Sequence, residues 1–117
     1  MMTAVNLSQK LSKFSDCWSP KIISTYNGNE VMLAKFEGEF VWHSHPDTDD
    51  FFLVIEGDVT IEMPDKTVTL GPGEMYVVPK GVEHKPSTKN GASVLLIEPK
   101  GTPNSGDEKT AAVKVEI

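Results

Sequence analysis

The sequence contains no arginine: all eleven basic side chains among its 117 residues are lysines. A planar guanidinium fork for bidentate recognition of carboxylate or phosphate is therefore missing. Acids outnumber bases 17 to 11, a formal net charge of −6. Nucleic acids and anionic membrane surfaces select basic patches, so neither is an expected partner. Cysteine is equally scarce. Cys17 stands alone, which excludes an intrachain disulfide and points to a cytoplasmic setting. No apolar run approaches the roughly 20 residues of a membrane helix; the longest is Phe51 to Ile55. Met1 to Lys10 shows no apolar stretch of the secretory-leader kind.

What the chain does have is an ordinary apolar content, 38%, and a length that suits one domain. Leu7, Leu11 and Phe14 recur at helical spacing behind Asn6, a good N-cap. They predict one short amphipathic helix over 7–15. From Lys21 the pattern changes to short β-rich runs punctuated by Gly, Pro, Asn and Asp. Strands are expected at 21–26, 30–37, 39–44, 51–56, 58–63, 66–70, 74–78, 83–87 and 92–98, an all-β antiparallel sandwich or barrel. Asn27-Gly28-Asn29 is a hairpin turn by composition. The organisation is an N-terminal helical arm over 1–20, a β body over 21–98 and a polar C-terminal arm over 99–117. The end of that arm, 110–117, alternates weakly and could add an edge strand to its own body or to a partner's.

All three histidines fall near turns: His43 and His45 as His-x-His, and His84 some forty residues later. Residues i and i+2 of a strand share a face, so two imidazoles at that spacing can converge on one ion. Asp47, Asp49 and Asp50 follow at once. Asp50 shares strand parity with Phe52 and Val54, Asp49 with Phe51 and Leu53. Two nitrogens and an oxygen around one point is the chemistry of the two-His, one-carboxylate sites.

The glycine and proline frame around these residues resembles the two motifs of the cupin superfamily. Gly38, His43, His45, Asp50 and Gly57 lie on the first motif; Gly73, Pro79, Gly81, His84 and Thr88 lie on the second. The likeness covers about 21–98. It implies a double-stranded β-helix or jelly-roll barrel with His43, His45, Asp50 and His84 as metal ligands. That donor set suits a first-row divalent ion, Fe, Mn, Ni, Zn or Cu. Two departures stand out. The spacer from Gly38 to His43 is one residue short, and Asp50 replaces the family's Glu with a side chain one methylene shorter. Asp49 is the rival ligand; the six residues between Asp50 and Gly57 favour Asp50.

Phe52, Val54 and Lys35 are candidates for the cavity wall, with Lys35 and Lys85 as cations near the mouth. Trp42 should face away from the histidines, and Met32, Met63 and Met75 are expected in the core. Fold alone does not fix chemistry. The expected function is a metal-dependent enzyme on a small oxo-acid, diketone or phenol, of dioxygenase, decarboxylase or isomerase type. The alternative is a non-catalytic small-molecule-binding cupin. Similar short cupins are often labelled mannose-6-phosphate-isomerase-like, but a chain without arginine is poorly equipped for a sugar phosphate. Trp18, Trp42 and the 110–117 arm offer more apolar surface than one small barrel readily covers, which leads to the expectation of a homodimer in which a terminal segment pairs with the other subunit.

Overall fold

The computed structural model describes residues 3–117. Helix α1 (Leu7–Leu11) is capped by Asn6, whose side chain accepts from the Gln9 N–H at 2.9 Å. It is shorter than the expected 7–15. The Ser12 N–H bonds back to the Ser8 carbonyl and the Lys13 N–H to the Lys10 carbonyl, and Phe14 lies past the helix end, where its ring sits beneath the Lys21 and Lys35 ammonium groups.

Eight strands follow: β1 (Lys21–Tyr26), β2 (Asn29–Glu39), β3 (Asp50–Gly57), β4 (Val59–Glu62), β5 (Thr67–Leu70), β6 (Met75–Val78), β7 (Lys85–Pro99) and β8 (Val115–Glu116). Except for the parallel β1–β8 pair, every pairing is antiparallel. β2 and β7 run through the whole molecule and are shared by two layers. Residues 92–97 of β7 pair with β3, while 85–87 pair with β4. The switch falls at the bulge where Phe36 pairs with Ala92 but Gly38 pairs with Thr88. One layer is therefore β6-β3-β7-β2-β1-β8 and the other β5-β4-β7-β2, an antiparallel jelly roll. Gly57 ends β3 at this corner. A Cβ there would lie 2.1 Å from the Gly91 carbonyl oxygen, so no larger residue lets the chains approach.

Strand alternation places Met32, Ala34 and Phe36 of β2, Phe52 and Val54 of β3, Val59 and Ile61 of β4, and Val94 and Leu96 of β7 in one buried cluster. Two of the expected strands give way. The runs at 83–87 and 92–98 are one long strand, because a bulge bends β7 without ending it. The run at 39–44 is not a strand beyond Glu39. The chain still follows β7 there, through Phe40 N–H to Pro86 O and an isolated bridge between His43 and His84. The C-terminal arm pairs with its own chain: Val115 and Glu116 lie beside Lys21 and Ile22 of β1. Met32 and Met63 are buried as expected, but Met75 points outward and is half exposed.

Candidate metal centre

The two sequence motifs are stitched together at their histidines. The His43 N–H donates to the His84 carbonyl at 3.0 Å, and the His84 N–H to the His43 carbonyl at 2.9 Å. The Gly81 N–H donates to the His45 carbonyl at 2.9 Å. These backbone bonds hold the His-x-His segment against the entry to β7, so both motifs aim their imidazoles inward. Asp50 opens β3 on the inner face with Phe52 and Val54, as its parity requires.

His43, His45, Asp50 and His84 are all buried, and their candidate ligand atoms lie within 4.8 Å of one another. The geometry centres on a single oxygen. Asp50 Oδ2 is 2.8 Å from His84 Nε2, 3.2 Å from His45 Nε2 and 3.9 Å from His43 Nε2. The second-layer contacts fix which nitrogen faces it. His43 Nδ1 is 2.9 Å from the Val41 carbonyl and His84 Nδ1 is 2.9 Å from the Val82 carbonyl. A carbonyl only accepts, so both Nδ1 atoms carry hydrogen, and in the neutral rings both Nε2 atoms present lone pairs to the centre. A carboxylate among imidazole lone pairs is an acceptor facing acceptors. A cation between them removes that conflict, and a divalent ion with N and O ligands matches the donor set. His45 Nε2, although close to Asp50, lacks hydrogen-bond geometry and has no partner among the described residues.

Burial pushes the His43 pKa down to about 4, beyond what its Val41 bond and the nearby Asp50 restore. The ring stays neutral, as a ligand must. Burial also lowers His45, but the neighbouring Asp50 carboxylate outweighs it and the net shift is upward. Desolvation would raise Asp50; hydrogen bonds and charge from His45 and His84 when those rings are protonated outweigh it and bring the carboxyl below its usual range.

Asp49, the rival ligand, is exposed, and its Oδ1 accepts from the Lys80 N–H at 2.9 Å. Phe52 lines the small cavity beside His43 and Asp50, together with Trp18, Phe36, Phe40, Leu96, Glu98 and Asn104. Val54 lies deeper, in the dry core. Lys35 does not reach this wall: it has outward parity, and its Nζ donates to the Phe14 carbonyl at 2.6 Å. Lys85 is likewise occupied, 3.0 Å from Glu39 and 3.5 Å from Glu62. Trp42 is exposed, as expected.

Sequence reasoning missed the acids at the other end of β7. Glu98 pairs directly with Glu30 of β2, and one step beyond the Phe51–Ile97 pair it faces Asp50 of β3. Three buried carboxyls thus form an inner row. Lys114, from the C-terminal arm, lies 3.5 Å from Glu30 and also donates to the Thr102 carbonyl. Glu98 Oε2 has no partner among the described residues. Burial first, then the Asp50 charge, lifts the Glu98 pKa to about 7. The parity of Glu98 with Leu96 and Val94 was the available signal.

The family comparisons agree with this geometry. Residues 29–98 match the Cupin domain family, and the chain belongs to it. A cupin-2 domain containing protein from Shewanella frigidimarina NCIMB 400 is 49% identical, with TM-score 0.81 over 82% of this chain and 94% of that one. A protein from Neisseria meningitidis is 37% identical, with TM-score 0.76 over 84% of this chain and all of that one. The uncharacterized protein YdbB of Bacillus subtilis (strain 168) is 44% identical over 64 residues, 54% of this chain and 57% of YdbB, so the likeness spans little more than half of that relative. A hydroquinone 1,2-dioxygenase in complex with Cd2+ and 4-hydroxybenzonitrile shares the fold at 16% identity, with TM-score 0.69 over 90% of this chain and 73% of that one.

Proposed function

We propose that this protein is a divalent-metal cupin enzyme acting on a small organic molecule, with His43, His45, Asp50 and His84 as the ligands. The reading is carried by the convergence of three imidazole Nε2 atoms on Asp50 Oδ2 at 2.8 to 3.9 Å in a buried pocket. A bound ion would supply Lewis-acid or redox chemistry to a carbonyl or hydroxyl oxygen. This chain's own residues would exclude water, through Trp18, Phe36, Phe40 and Phe52. The fold-level likeness to a hydroquinone dioxygenase is compatible with chemistry on a phenol. The test is metal analysis of untagged protein, followed by melting with and without EDTA. An ion held only by the folded state raises the melting temperature by mass action. We expect EDTA to lower it and Mn2+ or Ni2+ to restore it; identical curves overturn the reading. The small size of the cavity beside His43, about 30 Å³, is the one feature that favours the alternative, a non-catalytic binder.

We further propose a cytoplasmic homodimer. The lone Cys17 fits a reducing compartment. The outer face of the β3 layer carries two uncharged rows in register, Met75-Leu53-Leu95 and Val77-Phe51-Ile97-Val31. Met75 and Val77 are 51% and 39% exposed. Two chains of net charge −6 repel least through a face without carboxylates, and a twofold axis makes such a face self-complementary. Light scattering should return twice the 12.8 kDa chain mass, and Val77→Lys should return the monomer. A wild-type monomer at micromolar concentration refutes the dimer.

A further inference from the structure

The cavity beside the metal ligands is apolar on most sides. Trp18 stacks on Phe36 at 4.2 Å and on Phe40 at 4.8 Å between ring centroids, and Phe52, Leu96, Pro20 and Pro86 complete the walls. Its polar lining beyond the proposed ligands is Glu98 and Asn104. Asn104 is already committed: Nδ2 donates to the Trp18 carbonyl and Oδ1 accepts from the Ala112 N–H. Glu98 is 3% exposed, and its Oε2 lacks a partner among the described residues. A buried acceptor without a partner is costly to leave unmade, and a ligand that supplies the missing donor recovers that cost.

We infer that Glu98 selects the ligand of this centre, bonding the O–H of a small neutral hydroxylated molecule, a phenol in particular, and rejecting anions at the same position. This deepens the enzyme reading above and rests on it for the ion. Three observations carry it. Glu98 lines the same small space as His43 and Asp50. It belongs to the inner acid row with Asp50 and Glu30, whose neighbouring cation, Lys114, already contacts Glu30 and Thr102. A carboxylate or phosphate oxygen placed against Glu98 itself meets like charge there and, apart from the ion, finds no arginine to bind it. The flat aromatic walls suit a ring, and a hydroxyl can pair with Glu98 whether that carboxyl accepts or donates, whereas an ionised carboxylate can only accept. The space of about 30 Å³ holds roughly two waters. It therefore admits the hydroxyl end directly, and a ring follows only if a wall gives.

The test titrates phenol and benzoate into Mn2+-loaded protein at pH 8 by calorimetry, with wild type, Glu98→Gln and Glu98→Leu. We expect wild type to prefer phenol by at least about tenfold, the range of a hydrogen bond to a charged group. Glu98→Leu should abolish the preference, Glu98→Gln should reduce it, and Mn2+ affinity should stay within about twofold. Leu and Gln are near in volume to Glu and remove a buried charge, so both variants should fold. The inference is overturned if Glu98→Leu keeps the preference, if metal-loaded wild type shows none, or if both variants lose Mn2+. The same pair titrated into EDTA-treated wild type separates the two readings. A phenol preference in protein that never binds Mn2+ sinks the metal reading and leaves Glu98 as the selecting group.

Discussion

Two regions of the interior follow the same strand alternation, yet they are stabilised in opposite ways. In one, Val54, Val59, Ile61 and Val94 are at most 1% exposed and belong to the buried apolar cluster. In the other the inward positions are Asp50, His84, Glu98 and Glu30, also buried but polar. The first region is complete as it stands. The second holds imidazole lone pairs, a carboxylate and an unpartnered acid, which a folded chain tolerates only where something else completes them. Packing belongs to one region and recognition to the other, and substitutions should separate the two.

The largest effect should come from Asp50→Ala. Removing the one carboxylate from a buried cluster should weaken Mn2+ binding about a thousandfold, the 3–5 kcal/mol range of a broken buried charge pair. Asp49→Ala should leave it unchanged, because Asp49 faces Lys80 and solvent. Asp50→Glu should weaken binding by about tenfold, since Asp50 Oδ2 already reaches within 3.9 Å of all three Nε2 atoms and one more methylene overshoots. Isothermal titration with metal-free protein measures all three. Normal binding by Asp50→Ala would mean the carboxylate is not a ligand.

Ile61→Ala tests the other region. It should cost about 3 kcal/mol in denaturant unfolding by opening a cavity in the dry core, with Mn2+ affinity unchanged. A comparable loss of metal binding would show that the regions are not separable.

A smaller effect is acid sensitivity of the metal-free protein. His43 is held near 4 when folded and near 6.5 when unfolded. Between those values the unfolded chain binds the extra proton, so stability present above pH 6.5 falls as pH drops toward 4. The upward-shifted His45 and the buried Glu98, whose carboxyl is lifted to about 7, take up protons on folding in the same window and oppose this, so the wild-type slope should be shallow. Urea midpoints at pH 7 and pH 4.5 measure it. His43→Phe should tilt that window toward greater stability in acid, because the groups left are raised on folding; an unchanged slope would mean His43 is not held neutral.

Much of this contrast was legible in the sequence. His-x-His, the acid opening β3 and the Gly/Pro frame identified the ligand residues, because period-two alternation and turn chemistry are local. Three features were not local. The bulge that fuses 83–87 and 92–98 into one strand depends on β7 changing partners between β4 and β3. The irregular path of 40–45 is held by bonds to residues some forty positions away. Lys35 was placed at the mouth without knowing that the N-terminal arm would supply the Phe14 carbonyl to hold it outside. Glu98 carries an inward parity, but the row it forms with Glu30 and Asp50 needs three strands in register.

The bridge between His43 and His84 has a kinetic meaning. These residues lie 41 positions apart and the β2–β7 pairs beyond them 48 to 70 apart, and contacts between such distant segments come late in folding. An ion captured there should act on a structure already past its rate-limiting barrier. Mn2+ should therefore slow unfolding while leaving the refolding rate nearly unchanged. The centre would set the lifetime of the native state, and assembly would proceed without it.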